Sequence, residues 1–560
     1  MTNELRLKAG IIIVIIQTLV RYVVPIFVFE FTPFAAFAGL LGWLAVLIWW
    51  SFFSRASGTE RWLAPLAMVA SLGLTLPLLH HSIGQAMNGI IFFMYATPPL
   101  SIALVLWVII SRNLDASPRR VSMIATIAVA SLAWNLVRFD GMQFAEGAEF
   151  AWRWTETAEE PFLAQKSGVS GSTMPGQDDV EVKWSGFRGP ERKGIVTGTQ
   201  IDTDWAASPP RELWRRQIGP GWSSFSVRGD LIYTQEQHGE EEVVACYNFS
   251  TGEPVWEHRD RTRFWEAIGG PGPRPTPSIH NGRIYTFGAT GILNALDAID
   301  GSVIWSKNVA AELQATVPTW GFSSSPLIVD NLVVVAVPAT LAAYHVDSGK
   351  QAWTGPADKD GYSSPQLVQK DENTEILIMS STGITSVSPD GSKLWKHNWE
   401  GDGIVQPTLT RDGDILLGAR AQSARMSVSR QGEGYTIEEK WTSNRLKPYF
   451  NDLVIHNGHA FGFDGRIRAS IDIKTGERNW KGGRYGAGQM VLLRDQDLLL
   501  VVSEKGEIAL VSATPEKYTE QARMPAVSGK TWNHPVVVDG VLLVRNGEEM
   551  AAFRLTRETS

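Results

Sequence analysis

Cysteine is almost absent from this 560-residue chain. Cys246 is the only one, so no intramolecular disulfide can form, and any exported part must hold together by packing alone. No Cys/His cluster of the kind that binds zinc or attaches haem is present. A basic excess is also missing: 51 Lys and Arg stand against 58 Asp and Glu, for a net charge of -7 and a pI of about 5.9. That lacks the electrostatic footprint of a nucleic-acid binder.

Charge is scarce in a second, local sense. Before residue 138, five runs at about 10–29, 33–53, 62–80, 89–110 and 121–137 are nearly free of charged residues, and each is near the length that about 30 Å of hydrocarbon requires. A cleaved signal peptide would explain the first run and not the other four. Arg6, Lys8, Arg55, Arg61, Arg112, Arg119 and Arg120 all fall in alternate connections, while the intervening turns hold Glu30 on one side and His80, His81 and Gln85 on the other. This positive-inside pattern predicts a multi-pass inner-membrane domain over residues 1–138, with a cytoplasmic N-terminus and everything later outside. Arg21 lies inside the first run. An intramembrane cation is a functional flag, for a quinone or a lipid headgroup, unless the span is shifted and Arg21 snorkels to a surface.

Residues 139–183 read as a juxtamembrane linker, helical at its acidic start and loose in the Gly/Ser/Asp-rich run 167–179. Beyond it a pattern repeats. A short apolar strand, a turn ending in Gly and a Trp four residues later occur at Gly252/Trp256, Gly301/Trp305, Gly349/Trp353, Gly391/Trp395 and Gly476/Trp480. Thr251, Asp300, Ser348, Asp390 and Thr475 precede those glycines, which is the chemistry of a tight hairpin. Trp441 keeps the position without the Gly, and Trp214 carries the spacing back before the first copy. A period of 39 to 49 residues with several short strands per unit is that of a propeller blade. Strands at 535–538, 541–545 and 550–555 lack a fourth partner, which 212–216 supplies, so the ring closes at eight blades with no open edge. The fold expected is thus five transmembrane helices followed by an all-β eight-bladed propeller of four-stranded antiparallel blades over 184–560. Trp184-Ser-Gly-Phe-Arg-Gly-Pro190 is expected to pack across it as an entry segment. The repeated Trp is structural, packing between neighbouring blades.

These repeats resemble the pyrroloquinoline quinone (PQQ) repeat of quinoprotein dehydrogenases, which also builds non-catalytic propellers such as the lipoprotein subunit of the outer-membrane β-barrel assembly machine. The layout of five spans before an outward-facing propeller is similar to that of membrane-bound quinoprotein glucose dehydrogenases, which deliver electrons to ubiquinone. The resemblance implies either a periplasmic binding or assembly scaffold with membrane or periplasmic protein partners, or a dehydrogenase that uses PQQ and calcium to oxidise a sugar or alcohol. The Glu/Asn/Asp calcium ligands and the catalytic Asp of those enzymes fall on no motif-matched position.

Connections entering the innermost strands gather at the channel mouth, the usual ligand position on this fold. A planar acidic cofactor would stack there on Trp222, Trp320 or Trp532 and receive donors from Arg274 or Arg484. Calcium would take oxygens from Glu266, Asn451, Asp452 and Asn533. The commoner use of such residues is to plug the channel and satisfy one another, and that use is favoured here. The sequon Asn248-Phe-Ser250 is short enough to arise by chance.

Overall fold

The computed structural model describes residues 6–27, 32–143, 147–164, 180–338, 340–356, 360–370, 373–432 and 434–555. Glu30, Glu146 and the run 167–179 lie outside them. The chain divides into two compact units. One holds residues 1–142, 146–155 and 266–270, and the other holds 143–145, 156–265 and 271–560.

The first unit is helical. Among the described residues four helices are long and apolar enough to cross a membrane: Leu7–Phe27, Phe34–Phe53, Gly58–Leu78 and His81–Asn113. The last is interrupted at Met87 and Asn88, which take positive φ before the continuous helix Ile90–Ile110. A fifth helix, Ala116–Leu132, is less apolar because its first turns carry Arg119 and Arg120. The outward faces of these helices are apolar: Phe27, Leu41, Phe52, Leu66, Leu74, Ile110, Val121 and Val129 are all exposed. The stretch expected to begin as a helical linker instead forms a two-stranded sheet, Val137–Gln143 with Gly147–Trp152. Phe139 and Phe150, two residues of that stretch, pack ring against ring at 5.6 Å. The alternation that turns these two rings to one side is the strand period, which the count of glutamates in this segment obscured.

The second unit is an eight-bladed propeller. Blades 2 to 7 run continuously over 278–308, 327–354, 366–398, 408–443, 454–484 and 489–525, after blade 1 at 226–260. Blade 8 takes three strands from 536–554 and its fourth, Arg211–Gln217, from the start of the unit. The closing register, with Ala552 opposite Trp214, completes the last blade with the first strand of the unit. Two short strands were not visible in the repeat. Val182–Trp184 adds to the inner edge of blade 1, and Ile195–Val196 pairs in parallel with the inner strand of blade 7.

The repeated Gly and Trp work together across blades. The glycine turn of one blade lies against the indole of the blade before it, pairing Gly252 with Trp214, Gly301 with Trp256, Gly349 with Trp305, Gly391 with Trp353 and Gly476 with Trp441. Each glycine has positive φ, and a Cβ on any of them would collide with the ring. The same indoles donate across the seam: Trp256 Nε1 to Ala298 O at 3.2 Å, Trp305 Nε1 to Val346 O at 2.8 Å and Trp441 Nε1 to Ile473 O at 2.9 Å. One residue beyond each Trp pairing the ladder slips by a bulge, as after Ala295, Ala343 and Ser470. The slip is the local bend that aims the indole at the next blade. Where Gly is missing before Trp441, the hairpin lengthens to Ser423–Gln431 and Gly434–Ser443. Trp395 of the preceding blade then turns to its own blade and donates to Glu375 Oε2 at 2.8 Å.

Candidate functional site

Just ahead of most innermost strands stands a polar residue, and these residues bind one another or neighbouring backbone around the channel. Ser224 N donates to Thr276 Oγ1 at 3.1 Å, Thr276 N to Ser325 Oγ at 2.9 Å, and Ser325 N to Ser364 Oγ at 2.9 Å. Gln406 Nε2 reaches Ser364 O at 3.4 Å, and Gln406 N donates to Asp452 Oδ1 at 2.8 Å. The ring continues from Asn451 Nδ2 to Gly488 O, then from Asn533 Nδ2 to Ser223 O at 2.7 Å and Ser224 Oγ to His534 O at 2.6 Å. Donors that a four-stranded blade leaves open at its inner start are thereby satisfied by the next blade.

The entry segment fills the same channel. Arg188, and Arg192 two residues past Pro190, both take positive φ and are both buried. Arg188 donates to Leu453 O at 2.7 Å and Lys193 O at 3.0 Å, and Arg192 to Pro326 O at 2.7 Å and Ser325 O at 3.0 Å. Phe187 meets the ring of His534 at 5.9 Å. This one segment therefore ties together blades 3, 6 and 8. Burial lowers both guanidinium pKa values, that of Arg192 to about 9, despite the pull of Asp452. Burial also raises Asp452, whose carboxylate is 3.7 Å from Arg188, and with Arg188's charge it pushes His534 down to about 3.

Above the ring lies a continuous aromatic arc. Tyr362 meets Trp320 at 4.9 Å, Trp320 meets Tyr449 at 6.3 Å, and Tyr449 meets Phe450 at 5.2 Å. Phe450 meets Trp532 at 5.3 Å and Trp532 meets Trp222 at 4.9 Å. Lys530 Nζ sits 4.9 Å over Trp532 and 5.5 Å over Trp222, and the Arg420 guanidinium lies 4.2 Å from the Tyr449 ring centroid. Trp532 Nε1 donates to the buried Glu504 at 2.9 Å. Cations over the faces and edge-tilted rings hold this array without a ligand.

The structure thus brings Trp222, Trp320 and Trp532 into one array and leaves the expected cations elsewhere. Arg274 stacks on Phe264 at 4.5 Å and donates to Gly272 O, while Arg484 is exposed at the end of an outer strand. Among the oxygen donors, Asn451, Asp452 and Asn533 belong to the hydrogen-bonded ring. Glu266 falls in the other compact unit, where it caps its own turn by accepting from Ile268 N at 2.8 Å and from Gly269 N. Among the described residues no group of three or more His, Cys, Asp or Glu could hold a metal ion. Asp452 accepts within the ring through Oδ1, whereas Asn451 and Asn533 enter it through their Nδ2 groups, and Asn533 Oδ1 has no hydrogen-bond partner among the described residues. Sequence reasoning passed over Arg192 and Lys530, and it placed Arg188 in the entry segment and Tyr362, Tyr449 and Phe450 in the mouth connections without giving any of them a role. The available signal was the Gly- and Arg-rich run 186–194, and the aromatic at the same place in successive mouth loops.

A family model described as outer membrane protein assembly factor BamB matches residues 204–310 and 240–481. The propeller is built of PQQ-like repeats. It is 28% identical over 363 residues to the outer membrane protein assembly factor BamB of Shewanella oneidensis, an alignment covering 60% of this chain and 86% of that protein. Among solved structures, a europium-containing methanol dehydrogenase aligns with a TM-score of 0.51 at 11% identity, covering 66% of this chain and 98% of that one. The quinohemoprotein alcohol dehydrogenase from Comamonas testosteroni aligns with a TM-score of 0.52 at 10% identity, covering 72% and 84%. At such identities these two establish the architecture of the PQQ-like propeller and nothing of its chemistry.

Proposed function

We propose that this chain is an inner-membrane protein whose helices anchor a periplasmic PQQ-like propeller, and that the propeller is a binding or assembly scaffold for membrane or periplasmic proteins. One observation carries the reading: the side chains of Asn451, Asp452 and Asn533, expected at a calcium site, are tied into the inter-blade ring, with Arg188 and Arg192 bound to backbone carbonyls of the same channel. The assembly-factor relative points the same way. Anchoring is supported by the apolar outward faces of the helical unit, which would be an aggregation surface in water. The alternation of basic connections supports the orientation. Because Cys246 is alone and buried, single cysteines at exposed Asp300 and Arg55 report sidedness on a silent background; an impermeant thiol reagent applied from the periplasm should label the first and not the second.

The aromatic arc favours one second reading, since its rings could also receive a planar cofactor: a quinoprotein dehydrogenase passing electrons to ubiquinone. Titration of the purified protein with PQQ and calcium, followed by absorbance and thermal stability, decides between them. The scaffold reading expects no saturable binding. Tight binding lost in Trp320→Ala and Trp532→Ala, with dye reduction on adding sugars or alcohols, would replace it with the enzyme.

A further inference from the structure

Gln17 and Arg21 lie one turn apart on the first long helix, and both are buried, at 3% and 6% exposure. The Arg21 guanidinium stands 4.4 Å from the ring centroid of Tyr95 and 5.3 Å from that of Tyr22. Its Nε has no hydrogen-bond partner among the described groups, and neither has Gln17 Oε1, although Gln17 Nε2 donates to Gly39 O at 2.7 Å. No carboxylate pairs with Arg21 among the described residues; the one buried nearby-type acid of the helical unit, Glu60, faces Arg119 at 3.8 Å. The backbone is irregular here on both sides. The first helix widens to a π-turn over Leu19–Val23, centred on Arg21, and such turns concentrate at functional sites. Pro98 and Pro99 lie inside Ile90–Ile110 and, lacking N–H groups, release the carbonyls of Met94 and Tyr95. Gly39 makes the close approach possible, since a Cβ there would lie 3.0 Å from Pro98 Cγ, 3.4 Å from Arg21 Cδ and 3.7 Å from Met94 O.

A buried cation without an anion is costly. A neutral carbonyl, such as a quinone's, brings no charge to offset it, whereas a phosphate matches the guanidinium fork. Arg21 is six residues from Phe27, about 9 Å along the helix, so a headgroup need enter little more than a turn and a half from that end while its chains follow the apolar exterior. We infer that Arg21, with Tyr95 and Gln17 beside it, forms a binding site for the phosphate headgroup of an amphiphile of the outer leaflet. The inference rests on the membrane-anchored reading above.

The test uses the full chain in phosphate-free maltoside detergent, titrated with phosphatidylglycerol and followed by native mass spectrometry and thermal melting. One retained lipid per chain and a saturable rise in melting temperature are expected. Retention should fall at least tenfold in Arg21→Gln, about threefold in Tyr95→Leu, and recover in part in Arg21→Lys. A merely structural arginine would leave the lipid-dependent rise intact in Arg21→Gln, and that result would overturn the site. Displacement by inorganic phosphate would overturn the lipid assignment, as would equal retention of a phosphate-free diacyl galactolipid. If Arg21→Gln does not fold, Tyr95→Leu carries the same comparison. Failure of the thiol-sidedness experiment would sink the membrane reading itself, whereas correct sidedness without lipid retention sinks only this site.

Discussion

The pairing of each glycine turn with the indole before it makes a quantitative prediction at Gly349. Its φ is +62°, and an added Cβ would lie 2.6 Å from Trp305 Cδ2. Gly349→Ala therefore meets two costs: about 1–2 kcal/mol for placing a side chain in the left-handed region, and about 1–3 kcal/mol for overpacking against a buried ring. Gly282 separates them, because its φ is +71° and a Cβ there would meet nothing within 4 Å. Gly282→Ala should cost only the backbone share, and Gly349→Ala should exceed it by about 1–3 kcal/mol. The assay is guanidinium unfolding of the full chain in detergent, reading the midpoint of the propeller transition at unchanged m. Adding Trp305→Leu to Gly349→Ala should recover the excess, giving a coupling energy of that size in a double-mutant cycle. Equal costs at the two glycines, or no coupling to Trp305, would show that the glycine recurs for its turn alone and that the seam contact is incidental.

Other outcomes follow from the same contacts. Arg188→Met should destabilise the propeller by about 3–5 kcal/mol, because it removes the cation nearest the buried Asp452, leaving only the field of Arg192, and strands Leu453 O; thermal melting checks it, and Arg188→Met with Asp452→Asn should recover part of the loss. Glu242, buried between blades, has its pKa raised to about 8 by burial and by Asp260. A raised acid favours folding below its unfolded value and loses that stability as pH rises toward 8, so Glu242→Gln should gain on the wild type between pH 5 and 8, by at most about 5 kcal/mol at 1.36 kcal/mol per unit; stability curves that stay parallel across that window would refute it. His534 has the opposite sign: pushed down to about 3, it withdraws stability as pH falls below about 6.5, which the difference between the two proteins cancels. Arg215→Pro, in the strand that closes the ring opposite Ala551, should cost at least about 3 kcal/mol and open an edge, read as concentration-dependent aggregation on melting; a monomeric variant of native stability would contradict the closure.

Much of this architecture can be read from one dimension because its forces are local or periodic. Long uncharged runs mark the helices, since backbone in an apolar setting must satisfy itself. The Gly-to-Trp spacing marks the blades, since every seam poses the same packing problem, and the unpaired final strands together with Trp214 reveal the closure. What the sequence does not carry is where a side chain goes once blades meet. The ladder slips after each Trp pairing, the two extra inner strands, and the passage of Arg188 and Arg192 through the channel depend on contacts 130 to 270 residues apart in the chain. The same distance-blindness hid that the side chains of Asn451, Asp452 and Asn533 each bond to backbone of a neighbouring blade. Arg21 shows the division most plainly. Sequence alone put a cation in an apolar run and left open whether it snorkels to a surface; only the packing of Gly39, Tyr95 and the proline-broken helix around it decided that it is enclosed.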